Sequence, residues 1–349
     1  MKFGLLTLFD QYAEDCSEEQ YYKNFFNEAC YAEELGFDSI WIGEHHFCRY
    51  ICPAPQIVAA AIAQRTKRIR IGTAIALLPH HDPIRLAEDY ALVDLLSGGR
   101  LDLGVGRGFI KSGYDGFNQL MGESRERFNE CLEIIEGLWR QHVFSYRGKF
   151  YSVRDVTILP RPLQKPTPPI FMAAALSPES FVAAGQKGHS IMLAPFTQSR
   201  GTLKENVQLY KETLSQYGHS SKDVEIVAGY HSYVDETPEL ACSKWESHYL
   251  RYMHFVGSLI NPEEYTSQQY KSWRQSGEAL KHVSWGQMYP DQVLCGDPAQ
   301  CVERIALLQE QFGVTHFWVY MDLGGLDQRE MLNSMERFAS RVIPQFRGK

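Results

Sequence analysis

Short apolar runs alternate with amphipathic stretches along most of the chain. "KFGLLTL", from Lys2, reads as a first strand. Ser17 to Leu35 then carries apolar residues at helical spacing, with Ser17 placed to cap the helix and Gly36 to stop it. "DSIWIG" reads as a second strand and Pro53 to Arg65 as a helix. "RIRIGTAIAL" is a third strand, followed by a helix from Pro83 to Leu96 with its proline near the start. "RLDLGVG" is a fourth, followed by a helix from Ser124 to Arg140. "PPIFMAA", "GHSIMLA", "VEIVAGY" and "VTHFWVY" continue the series, each near a helical segment. Strands alternating with helices predict a parallel α/β sheet. A set of eight favours closure into a (β/α)8 TIM barrel over an open doubly wound sheet.

Two stretches interrupt the repeat, so the chain reads as one barrel domain, 1–349, with insertions at about 144–168 and 231–297. The first is proline-rich around a hairpin-like "YRGKFYSV". The second is dense in aromatics, among them Tyr233, Trp245, Tyr249, Tyr252, Tyr265, Tyr270, Trp273, Trp285 and Tyr289. A long segment of this kind is either a lid or an extra helical pair packed on the barrel.

Composition narrows the partners. A net charge of -7 over 349 residues gives no reason to expect nucleic acid or an anionic membrane. The eight cysteines form no C-x-x-C pair and read as reduced thiols of a cytoplasmic protein. The first apolar run ends at Asp10, too short for a signal peptide. No run reaches the roughly 20 apolar residues of a membrane span.

The candidate chemistry lies just after strands. Glu44-His45-His46 follows the second strand, at the carboxyl end where a parallel barrel gathers function. No H-E-x-x-H or Cys/His cluster completes a metal site, so no metal is expected. One well-placed imidazole suffices for hydrogen bonding or proton transfer to a bound cofactor. "GVGRGF", Gly104 to Phe109, follows the fourth strand. Its glycines allow close approach of a ligand, and Arg107 could clamp a phosphate. The spacing is not G-x-G-x-x-G, so no nicotinamide site is expected. Ser177, Pro178 and Ser180 suit a helix N-terminus, which either is simply capped or binds phosphate.

Taken together, "AEELGFDSIWIGEHHF", "RIRIGTAIALLPHHDPIRLAEDYALVDLLSGGRLDLGVGRGF", "ESRERFNECLEIIEGLW", "LSPES" and "GDPAQCVERIALLQEQFGVTHFWVY" resemble the bacterial luciferase-like flavin monooxygenases. The likeness spans nearly the whole chain and is weakest from His231 to Asp297. It implies a (β/α)8 barrel that takes reduced FMN from a separate flavin reductase, reacts it with O2, and oxygenates a small organic substrate through a flavin C4a-peroxide. By this resemblance His45 is the active-site histidine, with Glu44 orienting the cluster and His46 behind it. Arg107, Ser177 and Ser180 match phosphate-binding positions. Ala74–Ile75 matches a place where the family can have a non-proline cis peptide under the flavin ring. A homodimer through the helices after strands two and three is also implied.

Gly106 stands where the light-emitting members have a reactive cysteine, and Gly113 where they have an aspartate, which weighs against light emission. Two other readings remain open at this point. One is a deazaflavin-dependent oxidoreductase on the same barrel. The other is a non-catalytic flavin-binding protein, against which the retained histidine argues.

Overall fold

The structure, a computed structural model, describes residues 1–260 and 277–348. The aromatic positions Tyr265, Tyr270 and Trp273 lie outside the described residues. Eight parallel strands close into a ring: β1 (Lys2–Thr7), β2 (Ser39–Ile42), β3 (Arg70–Thr73), β5 (Leu101–Gly106), β8 (Ile170–Ala173), β9 (Ser190–Leu193), β10 (Ile226–Val234) and β12 (His316–Tyr320), which pairs back with β1. The two-residue β4 (Ala76–Leu77) continues beyond β3 and pairs with β5. All eight expected strands are present, and the barrel closes as expected.

The helices begin and end where local chemistry directs. In α1 (Glu18–Leu35) the Ser17 hydroxyl accepts from the Gln20 N–H, and Gly36 ends the helix with φ +84°. α2 (Pro55–Arg65) begins two residues later than expected. In α3 (Pro83–Ser97) the Asp82 carboxylate accepts from the Ile84 and Arg85 N–H groups. α4 (Lys111–Gly116) is short. α5 (Ser124–Arg140) buries an apolar stripe including Phe128, Leu132, Ile135 and Trp139 against the barrel, and Trp139 Nε1 donates to Ala87 O at 3.0 Å. The outer faces of α2 and α3, where a subunit contact is expected, expose Ile57, Leu92, Leu95 and Leu96.

Inside the barrel, Trp41, Phe171, Met192, Val227 and Trp318 fill the core. Trp41 meets Phe171 edge-on at 5.0 Å and tilts against Trp318 at 4.9 Å. Gly72 makes room for it, since a Cβ there would lie 2.1 Å from the indole. At the amino end of the strands the polar groups are paired. Arg70 grips Asp102 through two bonds of 2.8 and 2.6 Å. A second chain runs from Trp41 Nε1 to Ser39 Oγ (2.7 Å), His316 Nε2 (2.8 Å from Ser39) and Glu225, which also holds Lys2 at 2.6 Å.

The first insertion is the expected hairpin, β6 (Phe144–Arg147) against β7 (Ser152–Val156). The second starts later than its expected boundary. β10 runs on through His231 to Val234 and there takes a parallel partner, β11 (Leu294–Gly296). α6 (Pro178–Lys187) and α7 (Arg200–Gln216) flank β9, while α8 (Pro238–Ser258) follows β10 and belongs to the insertion. α8 buries Trp245, Tyr249, Tyr252 and Met253 over the carboxyl end of the barrel. The eight cysteines are free thiols. No described helix is long and apolar enough to cross a membrane.

Candidate active site

The carboxyl ends of the strands deliver the candidate residues to one rim. Glu44, His45 and His46 follow β2, Ala74 and Ile75 follow β3, Arg107 follows β5, and Ser177 and Ser180 open α6 after β8. Three adjoining cavities meet there. The largest, about 490 Å³, lies under α8 and is lined by His45, Tyr50, Phe109, Phe196, His231, Tyr252, Trp318 and Tyr320, among others. A second, about 170 Å³, is lined by Glu44, His45, His46, Ala74 and Ile75. A third, about 240 Å³, is lined by Arg107, Arg125, Ser177 and Ser180. Phe109 borders all three, and Ile75 borders the second and third.

Glu44 is buried and fully used. Its Oε1 meets His46 Nε2 at 2.8 Å and His81 Nε2 at 2.7 Å, and its Oε2 accepts from the Leu77 N–H at 2.9 Å. Burial alone would raise its pKa. The hydrogen bonds from the two imidazoles, the His81 charge and the Leu77 N–H outweigh it and hold the carboxyl at about 2. Burial works against a charge on His81, but the bond to Glu44 wins and raises its pKa above 6.5. The three ligating atoms lie within 4.8 Å of one another. Two imidazoles and a carboxylate could hold a divalent cation. As built, both imidazoles bond directly to the carboxylate.

His45 is placed differently. Its backbone N–H donates to Cys52 O at 3.1 Å, and its ring stacks on Tyr50 at 3.9 Å between centroids. Its Nδ1 is buried without a hydrogen-bond partner among the described residues. Burial pushes its pKa down to about 3, so the imidazole stays neutral at ordinary pH.

The Ala74–Ile75 peptide is cis. Ile75 reaches across to Gly106, where a Cβ would lie 2.0 Å from Ile75 Cδ1. Glycine at 106 thus gives its space to Ile75. Plain capping fails for Ser177, whose side chain accepts no helix N–H and instead meets Ser180 Oγ at 2.9 Å. The first turn of α6 therefore faces the third cavity beside Arg107 with its serine hydroxyls turned to each other.

The structure thus gathers Glu44, His45, Ala74 and Ile75 in one place and Arg107, Ser177 and Ser180 in the next. Sequence reading missed three residues. His81 lies 37 positions beyond Glu44, and Arg125 comes from the first turn of α5; neither has a local signal. His231 had one, since it directly continues the run "VEIVAGY" at the carboxyl end of a barrel strand.

A closed barrel with its cavities at the carboxyl mouth defines a class of enzyme scaffold, and comparison with known proteins identifies the family. The profile of the luciferase-like monooxygenases matches residues 1–316, and the chain belongs to that family. It is 26% identical over 354 residues, 99% of this chain and 96% of the other, to the oxygenase component of flavin-dependent trigonelline monooxygenase from Acinetobacter baylyi. Among solved structures, monooxygenase RslO1 from Streptomyces bottropensis superposes with a TM-score of 0.85 at 28% identity, covering 99% of this chain and 100% of that one. The oxygenating constituent of 3,6-diketocamphane monooxygenase from Pseudomonas putida, a type II Baeyer-Villiger monooxygenase in complex with FMN, has a TM-score of 0.79 at 20% identity, covering 99% and 98%. An F420-dependent secondary alcohol dehydrogenase shares the fold at a TM-score of 0.77 and 18% identity, covering 99% of each chain. The chain is an enzyme of the flavin-dependent monooxygenase kind.

Proposed function

We propose that this chain is the oxygenase component of a two-component FMN monooxygenase, using reduced FMN made by a separate reductase to place one atom of O2 into a small organic substrate. The observation that carries the reading is the continuity of the three cavities. A site with two arginines and two serine hydroxyls at a helix start leads past Ile75 to a neutral imidazole, and from there into an apolar chamber. A phosphate, a flat ring and an apolar substrate fit these in order. The relative named as an oxygenase component supports a separate reductase.

The residues divide the work. Arg107, with the hydroxyls of Ser177 and Ser180, binds the phosphate at the start of α6. Ala74 and Ile75, which line the same cavity as His45, would hold the flat ring there. His45, neutral and with a ring nitrogen unpartnered, holds or accepts a proton beside the reacting edge. Glu44 fixes the loop that carries His45 by holding His46, His81 and the Leu77 N–H at once. The aromatic wall supplied by α8 keeps water from the reacting groups. Reduced FMN supplies the two electrons that let one oxygen atom enter the substrate while the other leaves as water.

The test is anaerobic mixing with photoreduced FMN, followed by oxygenated buffer. Reduced FMN should bind, and a near-ultraviolet absorbance should appear before recovery at about 450 nm, where oxidised flavin absorbs. Failure to bind reduced FMN would sink the reading. Binding of reduced F420 in its place would establish a deazaflavin enzyme instead.

A further inference from the structure

The large cavity holds a second histidine that the proposed chemistry does not use. His231 sits on β10, opposite Tyr320 in the sheet register. It is 4% exposed and lines the cavity. Four aromatic rings box it in: Phe196 at 4.8 Å, Tyr252 at 5.1 Å, Tyr320 at 5.4 Å and Tyr249 at 5.5 Å between centroids. Its ring makes no hydrogen bond among the described residues, and Nδ1 is buried without a partner. Buried polar groups are normally paired, and an exception calls for a cause. Of the tyrosines around it, Tyr320 donates to Asp10 and Tyr252 accepts from Tyr50, while the Tyr249 hydroxyl is likewise buried without a partner among the described residues. Among the described residues, His231 is left as a hydrogen-bonding group with nothing to bond.

The rest of the wall says what it would bond. No Lys, Arg, Asp or Glu occurs among the described residues lining the cavity. Burial pushes the His231 pKa down to about 3, so its imidazole adds no charge at ordinary pH. Among the described residues an ionised substrate would find no counter-charge there to offset its loss of water. Aromatic walls favour flat rings through stacked and edge-on contacts.

We propose that His231 is the positioning residue for a neutral, ring-built substrate, whose carbonyl or hydroxyl oxygen bonds to its imidazole. The assignment deepens the proposed function and rests on the large cavity being that enzyme's substrate chamber. It separates the two histidines: His45 serves the cofactor side and His231 the substrate side.

The test is equilibrium dialysis of the full-length protein without flavin, against three probes of matched shape. These are 2-naphthol, 2-methylnaphthalene, which lacks the oxygen, and 2-naphthoate, which is an anion. Wild type should prefer 2-naphthol to 2-methylnaphthalene by roughly tenfold or more, the scale of one buried hydrogen bond. 2-Naphthoate should bind weakest. His231→Phe keeps the aromatic box and should bring the two neutral probes to equal affinity. His231→Gln, which keeps a hydrogen-bonding group, should retain part of the preference and guards against a folding defect in the first variant. An unchanged preference in His231→Phe would overturn the role of His231. Equal binding of 2-naphthoate and 2-naphthol would overturn the neutral substrate class. Because no flavin is present, the result reads the chamber whichever cofactor the enzyme uses, and a failed FMN experiment leaves it standing.

Discussion

The barrel carries polar side chains at both ends, and the two ends settle them in opposite ways. At the amino end, Arg70 and Asp102 share two hydrogen bonds, and Trp41, Ser39, His316, Glu225 and Lys2 link in one chain. At the carboxyl end, His45 Nδ1, His231 Nδ1 and Trp318 Nε1 are buried without partners among the described residues and belong to residues that line a cavity. An unpaired buried nitrogen costs about 1–3 kcal/mol. Such a cost borne by side chains that line a chamber marks the chamber as built for a ligand. Other groups at the carboxyl end are paired, Asp10 by Tyr320 and the Gly324 N–H, and Glu44 by His46, His81 and the Leu77 N–H. Glu44 is fully bonded because it supports the loop, and its neighbour His45 is left open.

The comparison breaks most visibly at Asp102. Replacing it by alanine leaves the Arg70 guanidinium partly buried without its counter-charge, and breaking a buried pair this way costs about 3–5 kcal/mol. Urea unfolding should show that loss, while activity per folded molecule stays within about twofold of wild type. Lost activity with unchanged stability would mean that the amino end is part of the site.

His45→Ala should do the reverse. Its ring makes no hydrogen bond among the described residues, so stability should fall less than in the Asp102 variant. Product formed per reduced FMN consumed should fall roughly 10²-fold or more, the usual contribution of a placed proton-transfer group. Product yield equal to wild type would remove His45 from the mechanism.

Much of this contrast could be read from the chain, and the missing parts share one cause. The eight strands were visible because each is a short apolar run between helical stretches, and strand order alone puts residues 44, 107 and 177 at one rim. The Glu44-His45-His46 trio was visible as a cluster, but its division of labour was not. Which histidine is bonded and which is open depends on His81, brought in by the β4–α3 connection. Arg125 joins the phosphate side only because α5 packs with its first turn beside α6, a tertiary fact with no mark in its own sequence. His231 was misplaced for a different reason. The apolar pattern of "VEIVAGY" gives way to polar residues at "HS", so the strand was ended at Tyr230, whereas in the fold β10 continues to Val234. The cis bond at Ala74–Ile75 has no propensity signal and was legible only through the family resemblance.

The smallest effect sharpens the comparison on a single side chain. Ser17 and Ser177 both stand at helix N-caps, where the residue type alone would let either accept a helix N–H. Ser17 accepts from the Gln20 N–H, whereas Ser177 caps nothing and faces the cavity with Arg107. Alanine at 17 should therefore cost about 1 kcal/mol, the typical value of a lost cap. Alanine at 177 should shift stability by less than about 0.5 kcal/mol, because no cap bond is present to lose. Its effect should appear instead in reduced FMN affinity, weakened roughly tenfold by loss of one hydrogen bond to a charged phosphate. Paired urea unfolding and anaerobic FMN titration of the two variants check both halves. A Ser177 variant as destabilised as the Ser17 variant, with FMN affinity intact, would make Ser177 an ordinary cap and withdraw it from the phosphate site.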